Sequence, residues 1–279
     1  MLRWVCRCLM VWLLSLSLTA AACAQTGQFN TIEKHVIRDR LQQFAVGNSI
    51  RGSTIKRLFK EAGCGQERLV EQRVPDSGNP NVICTLPGTG KEIIIVGAHF
   101  DKVHSGDGVI DNWSGASLLP SLFQSLNSEP RRHTFVFVGF TDEEKGHVGS
   151  GFYAESLTAE EANRVRAMIN LDTLGLGPTK VWASNSDPGL VRKLFDAAAD
   201  MKLPVGVMNV EEYGDSDGKP FRRRNIPILT LHSVTRETLG ILHTSKDNSA
   251  AVKFDDYYDS YRLIAGFLAS LDLEPNPLR

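Results

Sequence analysis

Short apolar runs alternate with amphipathic stretches along most of this chain. Ile93-Ile94-Ile95-Val96 and Thr134-Phe135-Val136-Phe137-Val138 read as buried strands, and so do residues 167–171 and 226–231. Weaker strand patterns fall at 68–74 and 81–86, separated by the turn signal Pro75-Asp76-Ser77-Gly78, and at 180–183 and 205–210. Helical spacing covers residues 31–44, with Ile32, Val36, Ile37 and Leu41 on one face. It returns over 54–62, stopped by Gly63 and Gly65, and over 114–126, 188–201 and 255–271. Pro120, inside the third of these helices, predicts a later start or a kink. The interleaving predicts an α/β fold: a single-domain three-layer α/β/α sandwich around a central mixed, mostly parallel sheet.

Composition sharpens this picture at the N-terminus. Arg3 and Arg7 precede an apolar run from Leu9 to Ala22, and Ala22-Cys23-Ala24 fits a small-x-small cleavage site. Residues 1–24 therefore read as a signal peptide of an exported, periplasmic or secreted protein, and residues 25–279 as the catalytic domain. Ala20-Ala21-Ala22-Cys23 also resembles a lipoprotein site lacking its usual Leu, which leaves a lipid anchor at Cys23 open. No later segment is long and apolar enough to span a membrane. After cleavage Cys64 and Cys84 remain, either as a disulfide or as two buried thiols. The formal net charge of -1, without a basic block, gives no basis for nucleic-acid binding.

The chemistry gathers just after the strand patterns. His99 and Asp101 follow the first apolar run, Asp111 stands ten residues beyond Asp101, and Asp142-Glu143-Glu144 ends the second run. Asp172 closes another strand, and His243 lies on a loop after the last. In open α/β sheets ligands bind outside the carboxyl ends of the strands. Imidazoles with several carboxylates suit zinc, and one carboxylate can bridge two ions. Spacing alone leaves open which of Glu143 and Glu144 is ligand and which is base.

The motifs His99-Phe100-Asp101, Asp111-Asn112-Trp113-Ser114-Gly115, Asp142-Glu143-Glu144, Asn170-Leu171-Asp172, Ser216-Asp217 and His243-Thr244 occur in this order. In them the chain resembles the co-catalytic dizinc aminopeptidases related to bacterial leucyl aminopeptidase and glutamate carboxypeptidase. The resemblance implies the zinc-exopeptidase fold, two Zn2+ per chain and a peptide substrate shortened from its N-terminus. It implies that His99 and Asp172 hold one zinc, Glu144 and His243 the other, and that Asp111 bridges them. A hydroxide between the metals is then the nucleophile, Glu143 the general base, Asp101 the support of His99, and Tyr213 the oxyanion donor.

Two other activities share this core. One is a glutaminyl cyclase-like aminoacyltransferase with one zinc. The other is a carboxypeptidase or dipeptidase, for which Arg222-Arg223-Arg224 or Arg236 offers a carboxylate anchor. The charge run also reads as a solvated face. Trp113 reads equally as pocket wall or helix-start packing, and His232 as pocket wall or core. The segment between Asp101 and Asp111, carrying His104 and Asp107, is where substrate preference is expected.

Overall fold

The computed structural model describes residues 28–212 and 214–273. The proposed signal peptide with Cys23, and Tyr213, lie outside the described residues.

The strands are β1 (Leu69–Gln72), β2 (Asn81–Leu86), β3 (Ile93–His99), β4 (Thr134–Phe140), β5 (Val165–Leu171), β6 (Thr179–Val181), β7 (Val205–Val207) and β8 (Ile228–His232). The helices are α1 (Lys34–Leu41), α2 (Asn48–Glu61), α3 (Ser114–Leu126), α4 (Val148–Ser156), α5 (Ala159–Arg164), α6 (Pro188–Met201), α7 (Gly218–Arg223) and α8 (Phe254–Asp272). All eight strands form one sheet, ordered β1-β2-β4-β3-β5-β8-β6-β7. Strands β4, β3, β5 and β8 run parallel at its centre. On one flank β2 joins β4 antiparallel and β1 joins β2 antiparallel, and on the other β6 joins β8 antiparallel. The expected mixed, mostly parallel sheet is present.

Strand periodicity sends alternate side chains into two cores. Ile94, Val96, Phe135, Phe137, Ile169 and Leu229 join the core beneath α1, α2, α3, α6 and α8. Ile95, Val136, Val138, Met168 and Ile228 join Tyr153 of α4 and Phe221 of α7 on the opposite face. Both faces of the central strands are therefore covered, which is why they read as unbroken apolar runs. Gly97 lets the layers close: a Cβ there would lie 2.3 Å from the Phe140 ring. Local signals set several helix starts. Asp187 accepts the N–H groups of Gly189 and Leu190 ahead of Pro188, and Thr158 with Glu161 forms a reciprocal cap for α5.

Two helix expectations need correction. Helix α2 begins at Asn48, well before residue 54, and runs through Gly52, whose missing side chain leaves room for the Phe100 ring. Helix α3 runs from Ser114 with Pro120 inside it, so the later start is not seen. Burial on nearly every side of α3 outweighs the hydrogen bond that Pro120 cannot donate. Cys64 and Cys84 form a disulfide between the end of α2 and strand β2. Because β3, β4, β5 and β8 are parallel, their carboxyl ends share one edge of the sheet, and the polar motifs emerge there together.

Candidate metal centre

The five candidate ligands converge into two triads from the end of β3 (His99), the residue after β5 (Asp172) and three further segments of the chain. His99, Asp111 and Asp172 offer donor atoms within 4.8 Å of one another, and so do Asp111, Glu144 and His243. His99 Nε2 lies 3.3 Å from Asp111 Oδ1 and 3.6 Å from Asp172 Oδ1. His243 Nε2 lies 3.1 Å from Asp111 Oδ2 and 3.3 Å from Glu144 Oε2. Each oxygen of Asp111 thus faces a different imidazole. Zinc bonds of about 2.0–2.1 Å in tetrahedral array put neighbouring donors roughly 3.3 Å apart. The separations in both triads fit that spacing. Among the described residues Asp172 Oδ1 and Glu144 Oε1 are buried without a hydrogen-bond partner, as expected of atoms shaped to meet a cation.

The adjacent glutamates diverge on a single turn that follows Asp142, which sits at φ 52°. Glu144 turns to His243. Glu143 instead places Oε1 3.2 Å from His147 Nε2 and Oε2 4.0 Å from His99 Nε2, outside both triads. Asp101 holds this turn. Its Oδ1 accepts the N–H of Glu143 at 3.0 Å and its Oδ2 the N–H of Glu144 at 3.2 Å. Its Oδ1 stands 3.5 Å from His99 Nδ1, which has no closer hydrogen-bonding partner.

Asp247 and Arg51, which no sequence motif singles out, fix the Asp111 loop together with Asn112 of the Asp111–Gly115 motif. Asp247 accepts the N–H of Ile110 at 2.7 Å and of Asp111 at 3.2 Å, while its carbonyl accepts the N–H of Asp107 at 2.8 Å. It lies four residues after His243, so it ties the His243 loop to the shared aspartate. Arg51 of α2 is fully buried and donates to the carbonyls of Phe100, Asp107 (3.1 Å) and Gly108 (2.7 Å). Asn112, joined to Asp111 by a cis peptide bond, donates to Leu171 O and accepts from Thr173 N, bracketing Asp172.

The electrostatics are those of crowded acids around two imidazoles. Burial, then the Asp111 charge, pushes Glu144 up to about 8. Burial pushes Asp172 up to about 6 against the pull of His99. Asp111 moves the other way: burial would raise it, but His243 and His99 together hold it below the usual carboxylate range. Its hydrogen bond with Asp111 raises His243 to about 9. Two added positive charges would relieve this crowding. Nearby, burial and then Glu143 push Asp217 up to about 8. Burial draws Arg51 down to about 10, still charged, with Asp101, Asp247 and Asp111 opposing the drop.

A pocket of about 440 Å³ opens over the triads. Its walls come from His147, Trp182, Ser216, His232, Val234 and Leu242, among others. The expectation that the segment after Asp101 sets preference is not met. No residue between Phe100 and Ile110 lines the pocket, because Arg51 and Asp247 bind that segment to the protein interior. Trp113 is core packing, with its Nε1 3.3 Å from Arg40 O. His232 is both wall and support, since its ring hydrogen-bonds Met208 O and Val234 N. Arg222 is engaged by Asn185, and Arg224 by the Ala154 and Leu157 carbonyls.

A layered α/β sheet with paired acid and histidine triads at its carboxyl edge is the architecture of a metal-dependent hydrolase. Residues 81–268 match peptidase family M28, and the chain belongs to this family. It is 24% identical over 248 residues to a probable leucine aminopeptidase of Arthroderma otae, covering 80% of this chain and 64% of that one. The chain thus spans less than two-thirds of that relative's length. Its fold is similar to aminopeptidase LapA of Legionella pneumophila, with a TM-score of 0.77, 19% identity, and coverage of 88% of this chain and 73% of the other. It is similar as well to an Acidobacteriales glutaminyl cyclase, with a TM-score of 0.69, 18% identity, and coverage of 86% and 93%.

Proposed function

We propose that this chain is an exported zinc-dependent aminopeptidase that hydrolyses the first peptide bond of substrates with a free N-terminus. The observation that carries the reading is the shared aspartate: Asp111 faces His99 with one oxygen and His243 with the other. In this reading His99 and Asp172 hold one zinc, Glu144 and His243 hold the second, and Asp111 serves both. Zinc held there would lower the pKa of a bound water and polarise the scissile carbonyl. Glu143 lies outside both triads and lines the pocket, so its carboxylate is placed to take a proton from the attacking water and return it to the departing amine. Asp101 keeps that carboxylate in place through the backbone. Tyr213, outside the described residues, is assigned the oxyanion on its sequence position. The Cys64–Cys84 disulfide supports passage through an oxidising compartment, in keeping with a signal peptide at 1–24 followed by the catalytic domain.

One observation favours a second reading, a glutaminyl cyclase: the chain spans 93% of that structure, against 73% of LapA. The two complete triads weigh against it, because that reading needs only one metal. Unblocked and N-blocked aminoacyl anilides, N-terminal Gln peptides and metal content form the test. The aminopeptidase reading expects hydrolysis of unblocked substrates alone, lost in chelator and restored by zinc. It also expects Glu143→Ala to keep metal without turnover and Glu144→Ala to lose metal. Full activity in a strong chelator, or cyclisation without hydrolysis, would overturn it.

A further inference from the structure

A second cavity of about 520 Å³ adjoins the pocket over the triads, and Gly146 and His147 line both. Its size lies in the range of ordinary ligand sites, about 300–1,000 Å³. Gly146, at φ +101°, forms an open step between the two, with no atom within 4 Å of where a Cβ would stand.

The direction of the chemistry says what crosses this step. On the aminopeptidase reading, on which this inference rests, Glu143 returns its proton to the departing amine. That amine must therefore come within hydrogen-bond reach of the Glu143 carboxylate. Oε1 of Glu143 lies 3.2 Å from His147 Nε2, on the side where the second cavity begins. The departing peptide thus leaves across Gly146 and His147, and its next residues enter the second cavity.

The walls of that cavity give it a chemical preference. Val74, Phe152 and Pro220 supply apolar surface. Lys219, Arg223 and Arg224 stand against a single carboxylate, Glu155. Lys219 is paired with Asp215 at 2.5 Å, and Arg224 holds the Leu157 carbonyl at 2.7 Å. Arg223 is exposed at the last position of α7, and among the described residues no carboxylate pairs with it. We propose that this second cavity binds the departing part of the peptide and selects a carboxylate there, with Arg223 as the contact. The middle residue of the Arg222–Arg224 run is thereby given a role that its neighbours, engaged by the protein itself, cannot fill.

A carboxylate at that position comes from a short peptide's C-terminus or from an acidic side chain. Matched substrates separate the two: X-Gly-Gly as free acid, X-Gly-Gly as C-terminal amide, and X-Gly-Asp as amide, X being the N-terminal residue best cleaved from anilides. The expected result is a kcat/KM about three- to fivefold higher for one or both carboxylate-bearing peptides than for the uncharged amide. That ratio falls to about one in Arg223→Gln or at high salt. A preference for the free acid names the C-terminus, and a preference for the Asp amide names the side chain. Ratios near one in the native enzyme, with anilides still cleaved, would overturn the subsite and leave the aminopeptidase reading standing. Ratios unchanged by Arg223→Gln would remove Arg223 from it. Failure to cleave any unblocked substrate would instead sink the underlying reading.

Discussion

Asp101 Oδ1 accepts the backbone N–H of Glu143 at 3.0 Å, a shorter separation than the 3.5 Å to the His99 ring it was expected to orient. Its other oxygen takes the N–H of Glu144. One buried carboxylate therefore fixes the turn that sends the proposed base, Glu143, to one side and the proposed ligand, Glu144, to the other. Burial alone would raise the Asp101 pKa, but His99 and these two N–H groups bring it below the usual value, so it accepts throughout the neutral range.

Asp101→Asn should accordingly impair both halves of the turn. An amide nitrogen facing either N–H replaces an acceptor with a donor. Turnover is expected to fall about 10–100-fold, with a parallel loss of zinc affinity. Steady-state kinetics on an aminoacyl anilide, together with zinc titration of the metal-free protein, measure the two effects. Values within twofold of the native enzyme for both would show that the turn holds without Asp101.

Asp247 offers a sharper separation of metal binding from substrate binding. Its carboxylate accepts the backbone N–H groups of Ile110 and Asp111, and the residue is absent from the pocket wall. Asp247→Ala leaves two buried N–H groups unsatisfied and frees the aspartate that both triads share. Zinc affinity should drop about 10–100-fold at both positions, while KM, measured at saturating zinc, stays near its native value. Asp247→Asn keeps one acceptor and should recover part of the affinity. A variant that loses only one zinc would contradict the shared role of Asp111.

How far the fold could be read beforehand depended on the range of the interaction. β3, β4, β5 and β8 were readable because burial on both faces leaves unbroken apolar runs, and His99, Asp142 and Asp172 follow such runs directly. The five proposed ligands came from motifs tied to these strand ends. Arg51 lies ahead of residue 54, where the helical spacing in the sequence begins, whereas α2 starts at Asn48, and only the Phe100 ring across the interface explains the glycine at 52. Asp247 sits in the polar stretch Ser245-Lys246-Asp247-Asn248, which resembles any solvated loop. Its partners lie 136 and 137 residues away, a pairing that no local pattern encodes. The pocket walls were unreadable for the same reason, as they come from segments far apart along the chain.

The disulfide ties the α2 end of this scaffold to the sheet. Cys64 and Cys84 are 20 residues apart, and closing a loop of that length removes about 3 kcal/mol worth of freedom from the unfolded chain. Cys64→Ser should lower the unfolding free energy by about this amount in urea. Reductant should bring the native protein toward the variant. Equal urea midpoints for the two proteins under oxidising conditions would mean that the crosslink adds no stability.

His232 should make stability fall in mild acid. Its Nε2 donates to Met208 O at 2.9 Å while its Nδ1 accepts the Val234 N–H at 3.1 Å, an arrangement only the neutral ring can make. Burial lowers its pKa to about 4, and the Met208 hydrogen bond offsets only part of that drop. The folded ring resists protonation that the unfolded ring accepts near its ordinary value of 6.5. Stability from this group is therefore fully present above pH 6.5 and is lost as the pH falls toward 4. The full loss amounts to about 3 kcal/mol. Urea unfolding of the native protein and of His232→Gln at pH 7.5, 5.5 and 4.5 isolates it. The two proteins should converge as the solution is acidified, because the variant has no ring to protonate. A stability difference that stays constant from pH 7.5 to 4.5 would show that the imidazole accepts its proton in place, with the Val234 contact already broken.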